Sequence, residues 1–211
     1  MSNPLGDLEL TDPAAMRALA HPVRLAILDR LRRDGPSTAT ELAPHVGATP
    51  SVTSWHLRHL AGFGLVRDGE PAGDRRQRRW EVVARGFRFE TPADETDHEG
   101  AAAARVLSQT MFERYADLPG RWWTDTEPHL EFRWRRQAGV SNTRVVVSDD
   151  ELAEINDQIE QLLAPFVTRD PGERPADSRG VRLLRYVLPE AEPEPEIEVT
   201  GTEAEPDGRD G

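Results

Sequence analysis

The chain has 211 residues, a formal net charge of -12 and no cysteine, which excludes disulfides, thiolate metal sites and cysteine nucleophiles. Its mean hydropathy of -0.63 and the lack of any long apolar run exclude a membrane-dominated protein, and the first residues lack the basic and apolar segments of a secretory signal. We therefore expect a cytoplasmic protein with no membrane partner.

The charge differs between the two ends of the chain. Residues 1–90 contain 13 arginines against 11 acidic residues, whereas residues 91–211 contain 13 arginines against 27 acidic residues. The first part is slightly basic, which is the sign that contact with a phosphate backbone requires. The acidic second part favours a different function, a module that binds a protein partner, and this alternative stays open.

Two helices are predicted first. The first spans residues 13–20, with Asp12 as its N-cap and Pro13 at its first position. The second lies in "HPVRLAILDRLRRDG" and ends at Gly35 and Pro36. Its core-facing stripe comprises Val23, Ile27, Leu28 and Leu31.

A helix-turn-helix follows. Thr38 and Glu41 have capping-box spacing at the start of "STATELAPHVG", which Gly47 ends. After a short turn, Thr49 caps a helix over residues 50–62. Two short capped helices in this order are typical of a helix-turn-helix. The segments "LVRD" and "RRWEVVAR" then predict two strands around "GEPAGD", a hairpin that forms a wing.

This stretch resembles the ArsR family of bacterial winged-helix regulators. The resemblance rests on "ALAHPVRLAILDRL", on "SVTSWHLRHL" at the recognition-helix position and on "GLVRDG" before an Arg-rich wing, and it covers about a third of the chain. It implies an operator-binding homodimer, usually a repressor. Metal-sensing members often use third-helix cysteines or Asp and His pairs on the C-terminal helix, and here no second histidine follows Asp97 and His98 at the suitable spacing. We expect no metal and no cofactor.

Periodicity sorts the side chains of the recognition helix. Thr53, Leu57 and Leu60 form its inward stripe. The set predicted to contact double-stranded DNA is Thr49, Pro50, Ser51, Ser54, Trp55, His56, Arg58 and His59. Arg58 can reach a guanine edge or a phosphate, and Trp55 a thymine methyl. The alternative is that Trp55 is a core aromatic and Arg58 a solvated charge. For His56 and His59, packing or phosphate contact is favoured over metal binding, because no third ligand is near.

Four arginines crowd the predicted wing, namely Arg75, Arg76, Arg78 and Arg79. Like charges at this density predict contact with phosphates or the minor groove, although a solvated hairpin face is the common alternative. Alternation along the strand would point Arg76 and Arg78 to one face and the other two to the opposite face.

The second half of the chain predicts a smaller domain. An acidic linker, 91–99, precedes a helix whose stripe is expected to pair with a partner helix in a homodimer: Leu107, Met111, Tyr115 and Leu118. A further helix begins with a capping box of Ser148 and Glu151. The segments "HLEFRWRR", "TRVVVS" and "VRLLRYVL" predict strands. The Pro- and Glu-rich end is expected to be disordered.

Aromatic residues concentrate in this second domain. Trp122, Trp123, Phe132 and Trp134 predict either a pocket for a small-molecule effector or simply the core of a small domain. No nucleophile with a recognisable base and no phosphate-cradling glycine loop accompanies them, so an enzyme is not expected.

The predicted fold class is α+β. Its parts are an N-terminal arm (1–11), a winged helix-turn-helix (12–90) of four helices and a two-stranded wing, the acidic linker (91–99), a helical dimerisation and small α/β domain (100–188), and an acidic tail (189–211). The predicted function is a homodimeric, sequence-specific repressor that reads a palindromic operator with helix 50–62 and the wing.

Overall fold

The structure is a computed structural model that describes residues 3–70 and 78–191. The chain divides into two units, Met1–Asp170 and Pro171–Gly211. In the second unit Pro171–Glu173 forms a 3-10 turn, and residues 174–191 contain no helix or strand. The predicted disordered tail falls mostly on residues 192–211, which lie outside the described residues.

Four helices begin the first unit: α1 (Pro13–Leu19), α2 (Pro22–Asp34), α3 (Ala39–Val46) and α4 (Pro50–Gly62). Their starts confirm the predicted caps. The Asp12 carboxylate accepts a hydrogen bond from the Ala14 amide, and Thr38 and Glu41 form both bonds of a capping box. Gly47 ends α3 with a φ of 68°, a left-handed conformation that glycine adopts without steric cost.

Two small sheets complete the winged-helix fold. Strands β2 (Ser37–Thr38), β3 (Val66–Asp68) and β4 (Arg79–Val82) form an antiparallel sheet in the order β2-β4-β3. The pairing of β3 with β4 is the predicted wing hairpin. Strand β1 (Leu8–Glu9) pairs in parallel with β5 (Phe87–Arg88). Strands of two residues are too short to show a period, so the sequence pattern missed β1, β2 and β5.

The segment predicted as an N-terminal arm is joined to this domain. Strand β1 makes backbone hydrogen bonds to the chain around β5, from Leu8 to Gly86 and from Leu10 to Arg88. The side chain of Leu10 is buried in the core. Residues 8–10 are therefore part of the winged-helix fold.

One hydrophobic core lies among these elements. The predicted stripe of α2 faces it, together with Leu25, which the sequence interpretation did not include. The largest fully buried side chains are Leu19, Ile27, Leu28, Leu31, Leu42, Leu57, Leu60 and Leu107. The last belongs to a longer helix, α5 (His98–Ala116), which packs across α1 and α2. The core thus extends beyond the predicted boundary at residue 90.

Helices also dominate the rest of the first unit. Helix α6 (Leu118–Asp125) and a short 3-10 turn (Glu127–His129) lead into α7 (Phe132–Arg135), and α8 (Asp149–Val167) starts with the predicted capping box of Ser148 and Glu151. No helix in the described ranges is long and apolar enough to cross a membrane.

The three strands predicted in this half are not formed. Residues 132–135 of "HLEFRWRR" are helical, and the segments 143–148 and 181–188 are exposed without strand pairing. A strand requires a neighbouring edge that accepts its hydrogen bonds. The sequence supplied the apolar alternation but not this edge, so the prediction of a small α/β domain is wrong for the strands.

Candidate nucleic-acid interface

The outward face of α4 is open to solvent. Thr49, Pro50, Ser51, Trp55 and Arg58 are exposed, and Ser54 is half-buried. The Arg58 Nη1 donates a hydrogen bond of 2.7 Å to the Ser54 hydroxyl, so the two side chains share one patch of surface. Helix α4 contains no acidic residue, and this face would not repel a phosphate backbone.

The inward face of α4 fixes its place in the domain. Thr53, Leu57 and Leu60 are all fully buried, as periodicity predicted. They pack where α4 meets α2 and α3. The helix is therefore anchored along one side while the opposite side stays free.

Val52 was missed by the sequence interpretation. Its side chain is about half exposed on the first turn of α4. It stands three residues before Trp55, a spacing that places both on one helical face. That spacing could have identified Val52, which offers an apolar surface of the kind that meets a thymine methyl.

His56 was predicted to contact DNA, and the structure corrects this prediction. Its ring is only 4% exposed, and its Nδ1 accepts a hydrogen bond of 3.3 Å from the Nε of Arg24. Burial, together with His21, Arg24 and His59, lowers the pKa of His56 to about 4. The side chain belongs to the interior of the domain, because the turn of α4 that exposes Trp55 directs the next residue toward α2.

His59 lies between the two faces. Its half-buried ring is stacked on Trp55, with centroids 5.5 Å apart, and its other neighbour is Phe63 at 5.2 Å. Burial and Arg24 lower its pKa, as they do for His21. In the described ranges, no three His, Cys, Asp or Glu side chains are grouped to hold a metal ion.

The wing divides its arginines between two faces. Arg78 donates to the carboxylate of Asp68 and lies over the Trp80 ring, 4.0 Å from its centroid. Arg79 turns the other way, donates to the Pro36 carbonyl and lies 3.6 Å from a carboxylate oxygen of Glu41. Arg75 and Arg76 fall within residues 71–77, outside the described residues.

The stripe predicted for dimerisation faces the chain's own core. Leu107 is fully buried, Met111 packs against the core, and the Tyr115 hydroxyl lies 3.2 Å from both carboxylate oxygens of Asp29 on α2. Leu118 is half-buried at the start of α6. These contacts correct the prediction. The pattern identified the apolar side of α5, but α1 and α2 cover that side.

The predicted effector residues do not enclose a cavity within one chain. Phe132 is 72% exposed and Trp123 is about half exposed, while Trp122 and Trp134 are half-buried. Trp122 and Trp123 contact each other edge to face at 5.1 Å. The predicted pocket is therefore not formed by these four residues in a single copy of the chain.

Comparison with known proteins agrees with this architecture. Residues 19–68 match the family model described as a helix-turn-helix domain. A stretch of 60 residues is 45% identical to the HTH-type transcriptional regulator NmtR of Mycobacterium tuberculosis, over 28% of this chain and 48% of that relative. The chain thus spans about half the length of the curated relative that it matches.

Two solved structures are similar at a lower level. A MarR family regulator from Neisseria meningitidis is 19% identical over 66% of this chain and 78% of its own, with a TM-score of 0.30. A MepR-like protein complexed with pseudoligands is 20% identical over 71% and 81%, also with a TM-score of 0.30. The helix-turn-helix match over residues 19–68, together with the antiparallel sheet β2-β4-β3, identifies the N-terminal part of this chain as a winged helix-turn-helix domain.

Proposed function

We propose that the protein is a sequence-specific DNA-binding transcription regulator that acts in the bacterial cytoplasm, with α4 entering the major groove. The observation that supports this most is the outward face of α4, which is exposed from Thr49 to Arg58 and carries no acidic residue. Helices held in this way read base edges with the side chains of one face.

Each exposed side chain suits a distinct contact in this proposal. Arg58 exchanges its bond with Ser54 for a guanine edge or a phosphate, since arginine pairs bidentately with both. Thr49 and Ser51 lie at the N-terminus of α4, where hydroxyls and the helix dipole favour phosphate oxygens. Trp55 and Val52 supply apolar surface.

The wing contributes affinity rather than sequence preference. Arg78 is already paired with Asp68, whose pKa that hydrogen bond lowers. A phosphate must therefore compete with a carboxylate for this arginine, and its contribution is smaller than that of a free cation. Arg79, held by the Pro36 carbonyl and Glu41, supports the base of the hairpin.

The regulator acts as a homodimeric repressor on a palindromic operator. On the side of α5 away from the core, Val106 and Phe112 are 49% and 56% exposed in one chain, one on each flank of the helix. A second copy that covers these side chains would pair two α4 helices with half-sites about 34 Å apart.

The first experiment titrates the full-length protein against DNA from upstream of its own gene, with random competitor and over a range of salt. We expect saturable, competitor-resistant binding that Arg58→Ala weakens about tenfold. Arg33→Ala is the matched control, because Arg33 is exposed on α2 and pairs with Asp34. Binding that competitor abolishes, or that both variants weaken equally, would favour a protein-interaction module instead.

The oligomeric state is tested separately by light scattering after size exclusion. Phe112→Glu places a charge in the proposed contact and is expected to give a monomer. Glu113→Gln on the next position is the control, because it removes a charge from an exposed site. A dimer that survives Phe112→Glu would show that the copies meet elsewhere.

A further inference from the structure

A buried arginine stands behind the recognition helix. Arg24 on α2 is 8% exposed, and among the described residues no carboxylate lies within ion-pair distance of it. Its Nη1 donates to the Ala18 carbonyl at the end of α1, and its Nε donates to His56 on α4. A buried cation without a carboxylate is unfavourable, and burial lowers the pKa of Arg24 accordingly. Packing alone would be served better by an apolar side chain.

The bond to His56 requires a neutral ring. A protonated imidazole carries hydrogen on both nitrogens and cannot accept from Arg24. The low pKa of His56 keeps the ring neutral near pH 7. The pair is thus a defined donor and acceptor that joins three elements: the end of α1, α2 and the middle of α4.

This pair also contacts the exposed aromatic of α4. The Arg24 guanidinium lies 5.5 Å from the centroid of the Trp55 ring, and the His56 ring meets the same indole edge to face at 4.9 Å. The ring of His59 stacks on it at an interplanar angle of 18°. A tryptophan that is 51% exposed is held from three sides before any ligand arrives, so little side-chain entropy is lost when it binds.

We propose that Arg24 is a positioning residue that fixes, directly and through His56, the orientation of Trp55, and that this orientation sets the base preference of α4 at one position of the DNA site. The inference rests on the proposed function. The base read there is one with an apolar edge in the major groove, since an indole makes no bidentate hydrogen bonds and fits a thymine methyl. Arg24 itself lies behind the helix and touches no DNA.

Base preference separates this role from a purely structural one. Without Arg24, the exposed side chains Arg58 and Ser51 still reach the duplex, so binding to random DNA should change little. Preference at the position under Trp55 should fall about fivefold or more, the lower end of what one mismatched base pair costs. General damage to the domain would instead reduce binding to every sequence in parallel.

The test uses the full-length chain and sites selected from a random duplex pool. Trp55→Ala identifies the position where preference depends on the indole. Arg24→Met should lose preference at that same position, whereas Arg33→Met, an exposed α2 control, should keep it. His56→Asn preserves an acceptor oxygen for Arg24 and should retain most of the preference, and His56→Leu should not.

A second measurement follows Trp55 without DNA. In protein labelled with 5-fluorotryptophan, Trp55→Phe assigns the Trp55 resonance among those of the five tryptophans. Arg24→Met should move and broaden that resonance, and Arg33→Met should leave it in place. If circular dichroism shows Arg24→Met to be unfolded, the same comparison is made with Arg24→Lys and His56→Leu.

The outcomes are distinct. Loss of preference at the Trp55 position together with a moved resonance supports the proposal. A selected sequence that Arg24→Met retains, or an unmoved resonance, overturns it and leaves the proposed function intact. If the wild-type protein selects no sequence at all, the proposed function and the specificity role fall together.

Discussion

Helices α4 and α8 make an instructive pair, since both begin at a capped residue and carry an apolar stripe. The stripe of α4 is fully buried, because α2 and α3 surround it. On α8, Leu162 is 69% exposed and Phe166 is 65% exposed, and an ion pair between Glu160 and Arg88 joins this helix to β5. An amphipathic pattern therefore specifies a helix and its apolar side, but not the surface that covers that side.

The largest expected effect tests this difference directly. Leu57→Ala on α4 should lower the free energy of unfolding by about 3 kcal/mol, because it leaves a cavity in a closed core. The same truncation at Leu162 on α8 should change it by less than about 0.5 kcal/mol. Chemical denaturation of both variants measures the two values. A loss above about 1 kcal/mol for Leu162→Ala would mean that the apolar side of α8 is covered in solution.

Lowering the pH should destabilise the fold through His56 on α4. Helix α8 has no histidine that could contribute in the same way. The pKa of His56 is about 4 in the fold and about 6.5 in the unfolded chain. Between these two pH values His56 is protonated in the unfolded chain but neutral in the fold. The free energy of unfolding therefore falls as the pH drops below about 6.5 and levels off near 4. His21, Arg24 and His59 face this ring and oppose its protonation.

The loss from His56 is about 2 kcal/mol between pH 7 and pH 5. Urea denaturation across this range measures it. His56→Asn removes the titrating ring and should reduce the pH dependence, and the lowered pKa values of His21 and His59 leave a residual slope of the same sign. An unchanged slope in His56→Asn would place the titration elsewhere.

The next largest expected change in the free energy of unfolding concerns the hydrogen bonds between α2 and α5. The Asp29 carboxylate accepts two hydrogen bonds from Arg114, at 3.0 and 2.9 Å, and one from the Tyr115 hydroxyl. Asp29→Asn should lower the free energy of unfolding by about 1.5 kcal/mol, because partly buried charge-assisted bonds are lost. Asp34→Asn, which removes only pairs within α2, to Arg30 and Arg33 near the surface, should cost under about 1 kcal/mol. Equal effects in denaturation would show that the bonds to α5 add nothing specific.

Local signals explain why most of residues 12–82 could be predicted from the sequence. Caps at Asp12, Thr38 and Thr49 and the glycine that ends α3 act within a few residues, so they do not depend on the rest of the fold. The inward stripe of α4 followed from the same period. Trp55 is exposed and the adjacent His56 is buried. The sequence could not show which of the two neighbours faces inward, because this depends on the position of Arg24 on another helix.

The predictions that were wrong depended on which helix or strand packs against the segment, and the sequence of the segment does not contain this information. Leu130, Phe132 and Trp134 alternate like a strand, but Leu130 and Trp134 are also four residues apart, and they are the half-buried ones while Phe132 is exposed. A run this short fits either period. The stripe of α5 was apolar as expected, yet α1 and α2 lay against it, and no pattern within α5 distinguishes its own chain from a second copy.

The smallest expected effect on the free energy of unfolding concerns a buried polar group on the inward face of α4. The Thr53 hydroxyl is buried on α4, and no group of the described residues forms a hydrogen bond with it, which is unfavourable because water would bond it in the unfolded chain. Thr53→Val keeps the branched shape and should raise the free energy of unfolding by about 0.5 to 1 kcal/mol, read as a higher urea midpoint at an unchanged m-value. Thr53→Ser, which keeps the hydroxyl and removes the methyl, should lower it by a similar amount. If Thr53→Val is instead destabilising, the hydroxyl has a partner in solution, and the interior of α4 is more hydrated than its fully buried leucines indicate.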